Sequence, residues 1–380
     1  MKVLFLTRSL GYGGAERQLV ALAEGLSARG HRVTVMMLYH EAPLLEGRRR
    51  GAVLYEGLGK RGRWDWPRPI WRAVKTVRQI RPDIVHTYLV DANVWGTLVL
   101  QFAPGPKLVW GIRASRLDFE KYPPIVHTMF RLSARLARRA DLIIANSEGG
   151  ARDHIAAGYP AMALRVIPNG IDMSRFCPDG KARAKARAQW EVEQDAIVIG
   201  LVGRLDPMKG HATFLDAARL FAASQPDARF VCVGDGPREY LQQLRESPAA
   251  RMLGSRVRFV PATQEVENVY RGLDLLTSAS SFGEGFPNVV GEAMACGITC
   301  VVTDVGDSGQ VVGDTGIVVP PDDARAMAEG WKRGLALARA PERPDPRSRI
   351  ERDYSLRRLV DRTEQILQGL LSVSPSCSRV

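Results

Sequence analysis

The stretch Ser280–Gly297, "SSFGEGFPNVVGEAMACG", carries the clearest structural pattern in the chain. It follows an apolar run, "LDLLTSAS" (273–280), which predicts a buried strand, and "SFGEGF" predicts the loop at the carboxyl end of that strand. The residues after the loop predict a helix, because Pro287 suits a first helical turn and Gly297 can end the last one. A strand, a loop and a helix in this order form the repeating unit of a parallel sheet.

Two carboxylates lie in this unit, Glu284 on the loop and Glu292 on the helix, with seven residues between them. The free backbone amides around Phe286–Val290 can hold an anion at the helix start. A carboxylate beside a bound anion is unfavourable unless it binds a sugar hydroxyl or stabilises a developing cationic carbon. On the other interpretation, Glu284 is only a partner of the helix dipole and Glu292 is a solvated helix residue. The pair alone does not decide between the two.

The same alternation of strands and helices runs through the whole chain. Glycine loops follow apolar runs and amphipathic segments follow the loops, as in parallel sheets with helices on both faces. The predicted strands form two groups, at 3–6, 30–38, 82–88, 107–112 and 140–147, and at 196–205, 228–236, 256–262, 273–280, 298–304 and 316–320. We therefore predict an α/β protein with two Rossmann-like, doubly wound domains.

Turn chemistry and composition place the domain boundaries. The sequence "PNGID" (168–172) is typical of a turn, and a polar helical segment follows it. We predict a first domain over 1–175, a second domain over 176–350 and a closing helix over 351–372. The remaining residues, 373–380, predict a disordered tail.

Length and composition exclude several classes of protein. A chain of 380 residues is too long for one ordinary core. No apolar run approaches the ~18–20 residues of a membrane span, and the apolar start "MKVLFL" is too short for a signal peptide. The five cysteines are odd in number and lack the spacing of zinc ligands. These features predict reduced thiols, no metal site and a cytoplasmic protein.

The positive charge is concentrated in the first half of the chain. Residues 1–170 contain 26 Lys and Arg against 13 Asp and Glu, whereas 171–380 have a net charge of −1. The excess positive charge lies either on helix faces that are simply solvated or on a surface that binds an anionic partner, such as a nucleic acid, a membrane or a substrate. The segment "FRLSARLARRAD" (130–141) predicts either a basic amphipathic helix on a membrane or ordinary packing on the sheet. Motifs of nucleic-acid binding are missing from this half, so we expect no nucleic-acid partner.

Further loops after predicted strands carry glycine or charge: "GYGGAE" (11–16), "GRLDPMKG" (203–210), "VGDGP" (233–237) and "TDVGDSGQVVGDTG" (303–316). Ligands of doubly wound sheets bind at the carboxyl ends of the strands, so we expect the site there, in a cleft between two such domains. Arg204 and Lys209, on one of these loops, can together neutralise a diphosphate. Taken singly, each loop is equally well explained as a tight turn or a surface connector.

Taken together and in this order, the motifs resemble those of the retaining nucleotide-sugar glycosyltransferases of family four, which have the GT-B fold. The resemblance spans about residues 1–370 and is most specific where "GFPN" and "EAMACG" lie within the Glu284–Glu292 segment. It implies two Rossmann-like domains that face each other across a cleft, and a closing helix that crosses back to the first domain. It also implies sugar transfer with retention at the anomeric carbon, without a metal or another cofactor.

The resemblance assigns donor-binding roles to the second domain. Arg204 and Lys209 match the positions that neutralise the donor diphosphate, and Glu292 matches the glutamate that binds the nucleotide ribose. Glu284 matches the carboxylate that contacts the donor sugar, and Arg204, Lys209 and Glu284 are the implied catalytic residues. The backbone beside the donor is implied to come from Gly285, Phe286, Pro287, Asn288 and Val289.

In the first domain, Gly13 and Gly14 match the loop that approaches the donor. Many family members have a histidine after the strand that corresponds to "VWGIRAS", but Arg113 occupies that position here. His86, which ends "PDIVH", is the nearest histidine in a comparable setting, and Asp91 follows it closely. His86, Asp91 and Arg113 are therefore the acceptor-site candidates, with turn capping as the alternative for the first two.

These parts suit a metal-independent hexosyltransferase, because preorganised cations and amides stabilise the charge that grows on a leaving phosphate. We expect attack on the same face of the sugar, assisted by that phosphate, and a UDP-linked donor. The positive first domain suits a glycan or polyprenyl-diphosphate-linked acceptor in polysaccharide or lipopolysaccharide assembly, with the enzyme peripheral at the inner membrane face. A nucleotide-sugar epimerase of GT-B-like fold is the alternative, and a basic nucleic-acid-binding protein is a more remote one.

Overall fold

We describe the fold from a computed structural model of the chain. The structure describes residues 1–11, 13–46, 51–62, 65–113 and 124–372, and it describes only the backbone of 124–129 and 131. The predicted tail (373–380), Tyr12 of the first glycine loop and the last two residues of "VWGIRAS" lie outside the described residues. None of the described helices is long and apolar enough to cross a membrane.

The chain forms two compact domains, and the first is built from two separate segments. Residues 1–170 and the segment from Leu356 onward form the first domain, and residues 171–355 form the second. These boundaries differ by a few residues from the predicted ones, at 175 and 350. The reason is that Ile171 donates its backbone amide to the Tyr354 carbonyl (2.8 Å) and pairs with Ser355, which ties both junctions to the second domain.

The described part of the first domain contains a seven-stranded parallel sheet in the order β3-β2-β1-β4-β5-β6-β7. Its strands are β1 (Lys2–Thr7), β2 (Arg32–Met37), β3 (Leu54–Gly57), β4 (Ile84–Tyr88), β5 (Lys107–Ile112), β6 (Leu142–Ala145) and β7 (Leu164–Val166). The central strands are buried on both faces, as their continuous apolar runs predict. The edge strands β3 and β7 were not predicted, because they are short and partly exposed and no apolar run marks them.

Helices cover both faces of this sheet. Two of them pack on one face, α1 (Gly14–Ala28) and α15 (Leu356–Ser372), and three pack on the other, α2 (Pro67–Ile80), α3 (Leu89–Phe102) and α4 (Pro124–Ala137). The short helix α5 (Glu148–Ala156) follows β6. A Cβ on Gly25 of α1 would lie 2.5 Å from the Val360 side chain of α15, so glycine lets the two helices approach closely.

The second domain has a six-stranded parallel sheet among the residues described, in the order β10-β9-β8-β11-β12-β13. Its strands are β8 (Val198–Val202), β9 (Arg229–Val233), β10 (Val257–Val260), β11 (Leu275–Ser278), β12 (Thr299–Thr303) and β13 (Ile317–Val319). Its helices are α6 (Gly180–Gln189), α7 (His211–Ala222), α8 (Arg238–Glu246), α9 (Pro248–Leu253), α10 (Val266–Gly272), α11 (Asn288–Ala295), α12 (Ser308–Val312), α13 (Ala324–Arg339) and α14 (Pro346–Tyr354).

A buried arginine holds the amino ends of two central strands in this sheet. The guanidinium of Arg187, on α6, has no exposed surface and donates to the carbonyls of Gly272 (3.0 Å) and Ala196 (2.8 Å) and to Asp274 (2.7 Å). Asp274 precedes β11 and also accepts from the backbone amide of Val198 (2.7 Å), where β8 begins. Because a buried charge needs a partner, this pair fixes the edge of the sheet opposite the carboxyl-end loops.

Trp331 of α13 is the aromatic centre of one core of the second domain. Its ring centroid lies 5.3 to 5.7 Å from those of Phe214, Phe221 and Phe230, and it is fully buried. Its indole nitrogen donates to the hydroxyl of Thr277 on β11 (2.9 Å). The helix is thereby packed and hydrogen-bonded onto the sheet.

We expect Trp331→Ala to lower the free energy of unfolding by about 3–5 kcal/mol, because it opens a large cavity in this core. Trp71→Ala on α2 makes the same change at a side chain that is 62% exposed, and should alter the free energy by less than about 0.5 kcal/mol. Urea denaturation followed by far-UV circular dichroism measures both. Equal effects of the two substitutions would contradict the packing described here.

Candidate functional site

Four loops of the second domain lie at the carboxyl edge of its sheet, after β8, β9, β11 and β12. Backbone hydrogen bonds join them: Leu205 donates to Asp235 (2.9 Å), Ser281 to Met208 (2.9 Å) and Asp307 to Gly285 (3.3 Å). These are the loops that the sequence predicts at strand ends, "GRLDPMKG", "VGDGP", "SFGEGF" and "TDVGDSG". Since the carboxyl ends of parallel strands meet at one edge, the loops form a single cluster.

Two glycines allow the loops to approach each other closely. Gly210 has φ +67°, and a Cβ there would overlap the carbonyl oxygen of Ala279, at the end of β11. Gly306 has φ +60°, and a Cβ there would overlap the carbonyl oxygen of Glu284. Only glycine has both the conformational freedom and the space for these positions. The backbone of the Glu284 loop is therefore held from the β12 side, while the β8 loop contacts the end of β11.

Lys209 and Glu284 form an ion pair in this cluster, although 75 positions separate them in the sequence. The hydroxyl of Ser280 donates to the same carboxylate oxygen, Oε1 of Glu284 (2.6 Å). The side chains of Lys209 and Glu284 are 23% and 12% exposed, so the pair is largely shielded from water. The family resemblance implies that Lys209 binds a diphosphate and that Glu284 contacts a sugar. Neither the resemblance nor the sequence pattern predicts their pairing or the contact with Ser280.

Arg204 lies on the same loop as Lys209 but has a different partner. Its guanidinium donates to Oδ2 of Asp206 (2.9 Å), and its side chain is 66% exposed. The other oxygen of Asp206 accepts from the backbone amide of Met208 (3.0 Å), which orders the turn before Lys209. Arg204 is thus a solvent-facing cation beside the shielded pair, and Asp206 is a contact that the sequence analysis missed.

Glu292 is buried, with 4% of its surface exposed. Its carboxylate accepts a hydrogen bond from the hydroxyl of Tyr270 (2.7 Å), on α10, and the Tyr270 ring packs on Phe176 (6.1 Å). The interpretation of Glu292 as a solvated helix residue is therefore wrong. Sequence reasoning also missed Tyr270, since nothing in "VENVYRG" marks it as a partner of a distant carboxylate.

The helix that carries Glu292 begins one residue later than predicted. Pro287 is the N-cap of α11 rather than part of its first turn, and Asn288 is the first helical residue. Gly285, Phe286 and Pro287 are buried, whereas Asn288 and Val289 are half-buried. Gly297 ends the helix with φ +81°, as predicted.

His211 follows Lys209 closely and is fully buried at the start of α7. Burial lowers the pKa of its imidazole to about 4, and neither ring nitrogen has a partner among the residues described. The ring packs edge-on against Tyr240 (6.4 Å). His211 is therefore neutral near pH 7 and adds no charge beside the Lys209–Glu284 pair.

In the first domain, Gly13 and Gly14 lie at the start of α1, where Gly13 is the N-cap. A Cβ on Gly13 would overlap the carboxylate of Glu16, so this side chain folds back to the helix start. Burial raises the pKa of the Glu16 carboxyl. The protein's own carboxylate thus lies at the helix end where the glycine loop predicts an anion or a polar ligand.

His86 does not end its strand, contrary to the prediction. It lies in the middle of β4, has no exposed surface, and packs between Phe5 (5.3 Å) and Tyr88 (5.0 Å). Burial, and secondly the charge of Arg113, hold the pKa of His86 well below its ordinary value. The end of β4 could not be predicted from the sequence, because the strand is buried throughout and the pattern of "PDIVHTY" does not mark where it stops. His86 is a core residue in this structure.

Arg113 and Asp91 do lie at strand ends of the first domain. Arg113 follows β5, stacks its guanidinium on the ring of Tyr88 (4.0 Å to the centroid) and donates to Oδ1 of Asn169 (3.4 Å). Burial lowers the pKa of Arg113 and raises that of Tyr88. Asp91, in the first turn of α3, forms an exposed ion pair with Arg8 (3.6 Å).

Comparisons with known proteins match both domains. The model for Glycosyltransferase Family 4 matches residues 12–175, and the model for Glycosyl transferases group 1 matches residues 196–336. A D-inositol 3-phosphate glycosyltransferase of Saccharomonospora viridis is 32% identical over 231 residues, which are 57% of this chain and 51% of the relative. A UDP-Gal:alpha-D-GlcNAc-diphosphoundecaprenol alpha-1,3-galactosyltransferase of Escherichia coli is 26% identical over 61% of this chain and 60% of the relative. The chain thus spans about half the length of the curated relatives it matches.

A solved structure matches almost the entire chain. The crystal structure of Anabaena HepE in complex with UDP is similar with a TM-score of 0.83 and 25% sequence identity, over 97% of this chain and 100% of that one. The α/β class and the two parallel-sheet, Rossmann-like domains expected from the sequence are confirmed. The chain belongs to glycosyltransferase family 4 and has the domains of the GT-B fold.

Proposed function

We propose that this protein is a retaining glycosyltransferase that transfers a sugar from a UDP-linked donor to a glycan or lipid-linked acceptor in polysaccharide or lipopolysaccharide assembly. The observation that carries the proposal is the cluster of Lys209, Glu284 and Ser280 at the carboxyl edge of the second sheet, followed in the chain by the helix that holds the buried Glu292. Family membership supports the reaction class. UDP in the HepE structure and the diphosphoundecaprenol named for the E. coli relative support the donor and the acceptor.

The donor diphosphate would take Lys209 and Arg204 as its cations. Lys209 is held in place by Glu284, so it is preorganised for an anion, and the exposed Arg204 can turn from Asp206 toward the same charge. Glu292 would accept hydroxyl groups of the ribose, with Tyr270 fixing its carboxylate. Glu284 would contact the donor sugar. The assignments of Gly13, Gly14 and the backbone of 285–289 to the donor remain predictions.

In the proposed reaction, the main contribution of the protein is to hold charged groups in fixed positions around the reacting atoms. The acceptor oxygen bonds to the anomeric carbon, the bond from this carbon to the β-phosphate oxygen breaks, and the hydroxyl proton passes to the leaving phosphate. Attack and departure on the same face retain the configuration without a covalent intermediate. Lys209 and Arg204 stabilise the charge that grows on the phosphate, which is the role a metal ion plays in other transferases. We therefore propose a metal-independent reaction.

Arg113 is the residue we propose for the acceptor. Its described contacts are the ring of Tyr88 and a neutral amide, so its charge has no carboxylate partner among the residues described. A guanidinium of this kind suits a phosphate or a carboxylate of the acceptor. Asp91 is exposed and could contact acceptor hydroxyls, whereas the burial of His86 argues against a direct role. We propose a cytoplasmic enzyme that meets its acceptor at the membrane face.

We expect UDP, rather than GDP or ADP, to raise the melting temperature of the protein, because a ligand of the folded state stabilises it by about 2.7 kcal/mol at 100 times its Kd. Glu292→Ala should abolish the shift. Glu329→Ala makes the same change on the exposed face of α13 and should keep it. A thermal-shift panel measures this. An unchanged UDP shift in Glu292→Ala would remove the ribose assignment.

We expect Lys209→Ala to lower kcat/KM by on the order of 10²–10³, as for the loss of one preorganised donor to a developing anion. Lys332→Ala, which removes an exposed lysine paired with Glu329, should leave kcat/KM unchanged. Glu284→Gln should lower kcat, since it removes the carboxylate but keeps its shape. Radiolabelled sugar transfer from UDP-sugars to lipid-linked and soluble glycans gives the rates. A glycosyl-enzyme adduct on Glu284 in the mass spectrum would contradict same-face attack.

We expect Gly306→Ala to weaken UDP binding, because the new Cβ would displace the Glu284 carbonyl and with it the loop of the ion pair. Gly30→Ala is the matched control: Gly30 has φ +84°, and a Cβ there meets nothing within 4 Å. Both substitutions place a Cβ at a positive φ, which costs roughly 1–3 kcal/mol, so the difference between them isolates the contact. Isothermal titration with UDP measures it. Equal affinities would show that the loop position is not important for the donor.

A further inference from the structure

The solvent face of α2 carries a straight row of cations around an exposed indole. Arg68, Trp71, Lys75 and Arg78 are spaced by three or four residues, so they lie on one side of the helix. All four are exposed, and Trp71 is 62% exposed. The opposite side, with Ala73, Val74 and Val77, packs into the core.

A second apolar side chain extends this row. Arg78 donates to the carbonyl of Phe102 at the end of α3 (2.7 Å), and the Phe102 side chain is 59% exposed. The ammonium of Lys75 lies 5.4 Å from the centroid of the Trp71 ring. Each of the two exposed aromatic residues thus has a cationic side chain in contact with it or with its backbone. We call Arg68, Trp71, Lys75, Arg78 and Phe102 the α2 surface.

The charge of the α2 surface is not balanced locally. The helix "PRPIWRAVKTVRQI" contains four basic residues and no acidic residue. Among the residues described, Arg68, Lys75 and Arg78 form no ion pair with a carboxylate. Most large apolar side chains of this domain are buried, so exposed Trp and Phe beside unpaired cations call for a partner that is both anionic and apolar.

We propose that the α2 surface docks on an anionic lipid bilayer. Indole and phenyl groups partition into the interface between headgroups and acyl chains, and Lys and Arg side chains reach the lipid phosphates from the same depth. A row of side chains along one helix fits a flat surface. Each cation near an anionic bilayer contributes about 1 kcal/mol, or roughly a fivefold gain in binding. The inference does not depend on the proposed transfer reaction.

A bilayer fits this surface better than a nucleic acid does. Single-stranded nucleic acids use successive aromatic platforms along a basic groove, whereas here one indole lies under a lysine on a convex helix. The sequence left 130–141 open as either a membrane helix or ordinary packing on the sheet. In the structure Phe130, Leu136 and Ala137 pack on the core, and Leu132 is exposed. The α2 surface therefore replaces α4 as the docking element that we infer.

Vesicle co-sedimentation of the full chain tests the proposal. The probes are vesicles of phosphatidylglycerol and phosphatidylcholine, vesicles of phosphatidylcholine alone, and a DNA duplex at the same ionic strength. One variant replaces Arg68, Lys75 and Arg78 with serine. The matched control replaces Arg135, Arg138 and Arg139, at the end of α4, with serine and has the same net charge. Melting temperatures establish that both variants are folded.

We expect the wild type and the α4 variant to bind the phosphatidylglycerol vesicles alike, and the α2 variant to bind roughly 100-fold more weakly. Binding should fall as salt rises, because the Debye length shrinks from about 10 Å at 0.1 M to about 3 Å at 1 M. Equal loss in the two variants, loss in the α4 variant alone, or wild-type indifference to lipid charge would overturn the proposal. The proposal would also be overturned if the wild type bound the DNA duplex but not the vesicles, and if the α2 variant lost this DNA binding.

Fluorescence quenching by brominated lipids tests the depth of Trp71. The chain contains seven tryptophans, so the signal of Trp71 is the difference between the wild type and Trp71→Phe. We expect this difference signal to be quenched by vesicles brominated near the headgroup. An unquenched difference signal on bound protein would show that the indole does not enter the bilayer, and would overturn the proposed docking geometry.

Discussion

The ion pair of Lys209 and Glu284 is the interaction on which the arrangement of the candidate site depends. It joins the loop after β8 to the loop after β11, which are neighbouring strands of the sheet. A carboxylate near a bound phosphate is electrostatically unfavourable on its own. Lys209 and the hydroxyl of Ser280 remove that penalty. Under the proposed function, the donor diphosphate would share the ammonium of Lys209 with the carboxylate of Glu284.

The two edges of the second sheet differ in how their polar groups are arranged. At the amino edge, the buried guanidinium of Arg187 donates to Asp274 and to the Gly272 carbonyl, and Asp274 also accepts from the backbone amide of Val198. At the carboxyl edge, Gly210 and Gly306 let the loops approach each other through their backbone atoms, and the side chain of Arg204 faces solvent. Because both edges are ends of the same strands, the hydrogen bonds that join the amino ends of β8 and β11 also help to set the spacing of the loops at their carboxyl ends.

The sequence predicts the strand ends well and the partners of the site residues poorly. Apolar runs followed by glycine identify the loops, because a parallel strand must be buried on both faces and must turn at its end. Pairing across the site is invisible to such patterns: Lys209 meets Glu284 across 75 positions, and Tyr270 meets Glu292 from another helix. His86 shows that the end of a single strand can also be impossible to predict from the sequence. Its strand is buried throughout, so neither alternation nor polarity marks where the chain leaves the sheet.

Helix α15 follows the second domain in the chain but completes the core of the first, where Gly25 of α1 accepts Val360. During synthesis the ribosome must translate the whole second domain before this helix emerges. At 5–20 residues per second the delay is on the order of tens of seconds. The apolar face of α1 that α15 covers is exposed in the nascent chain for that time. Completion of the first domain therefore waits until the second domain has been translated.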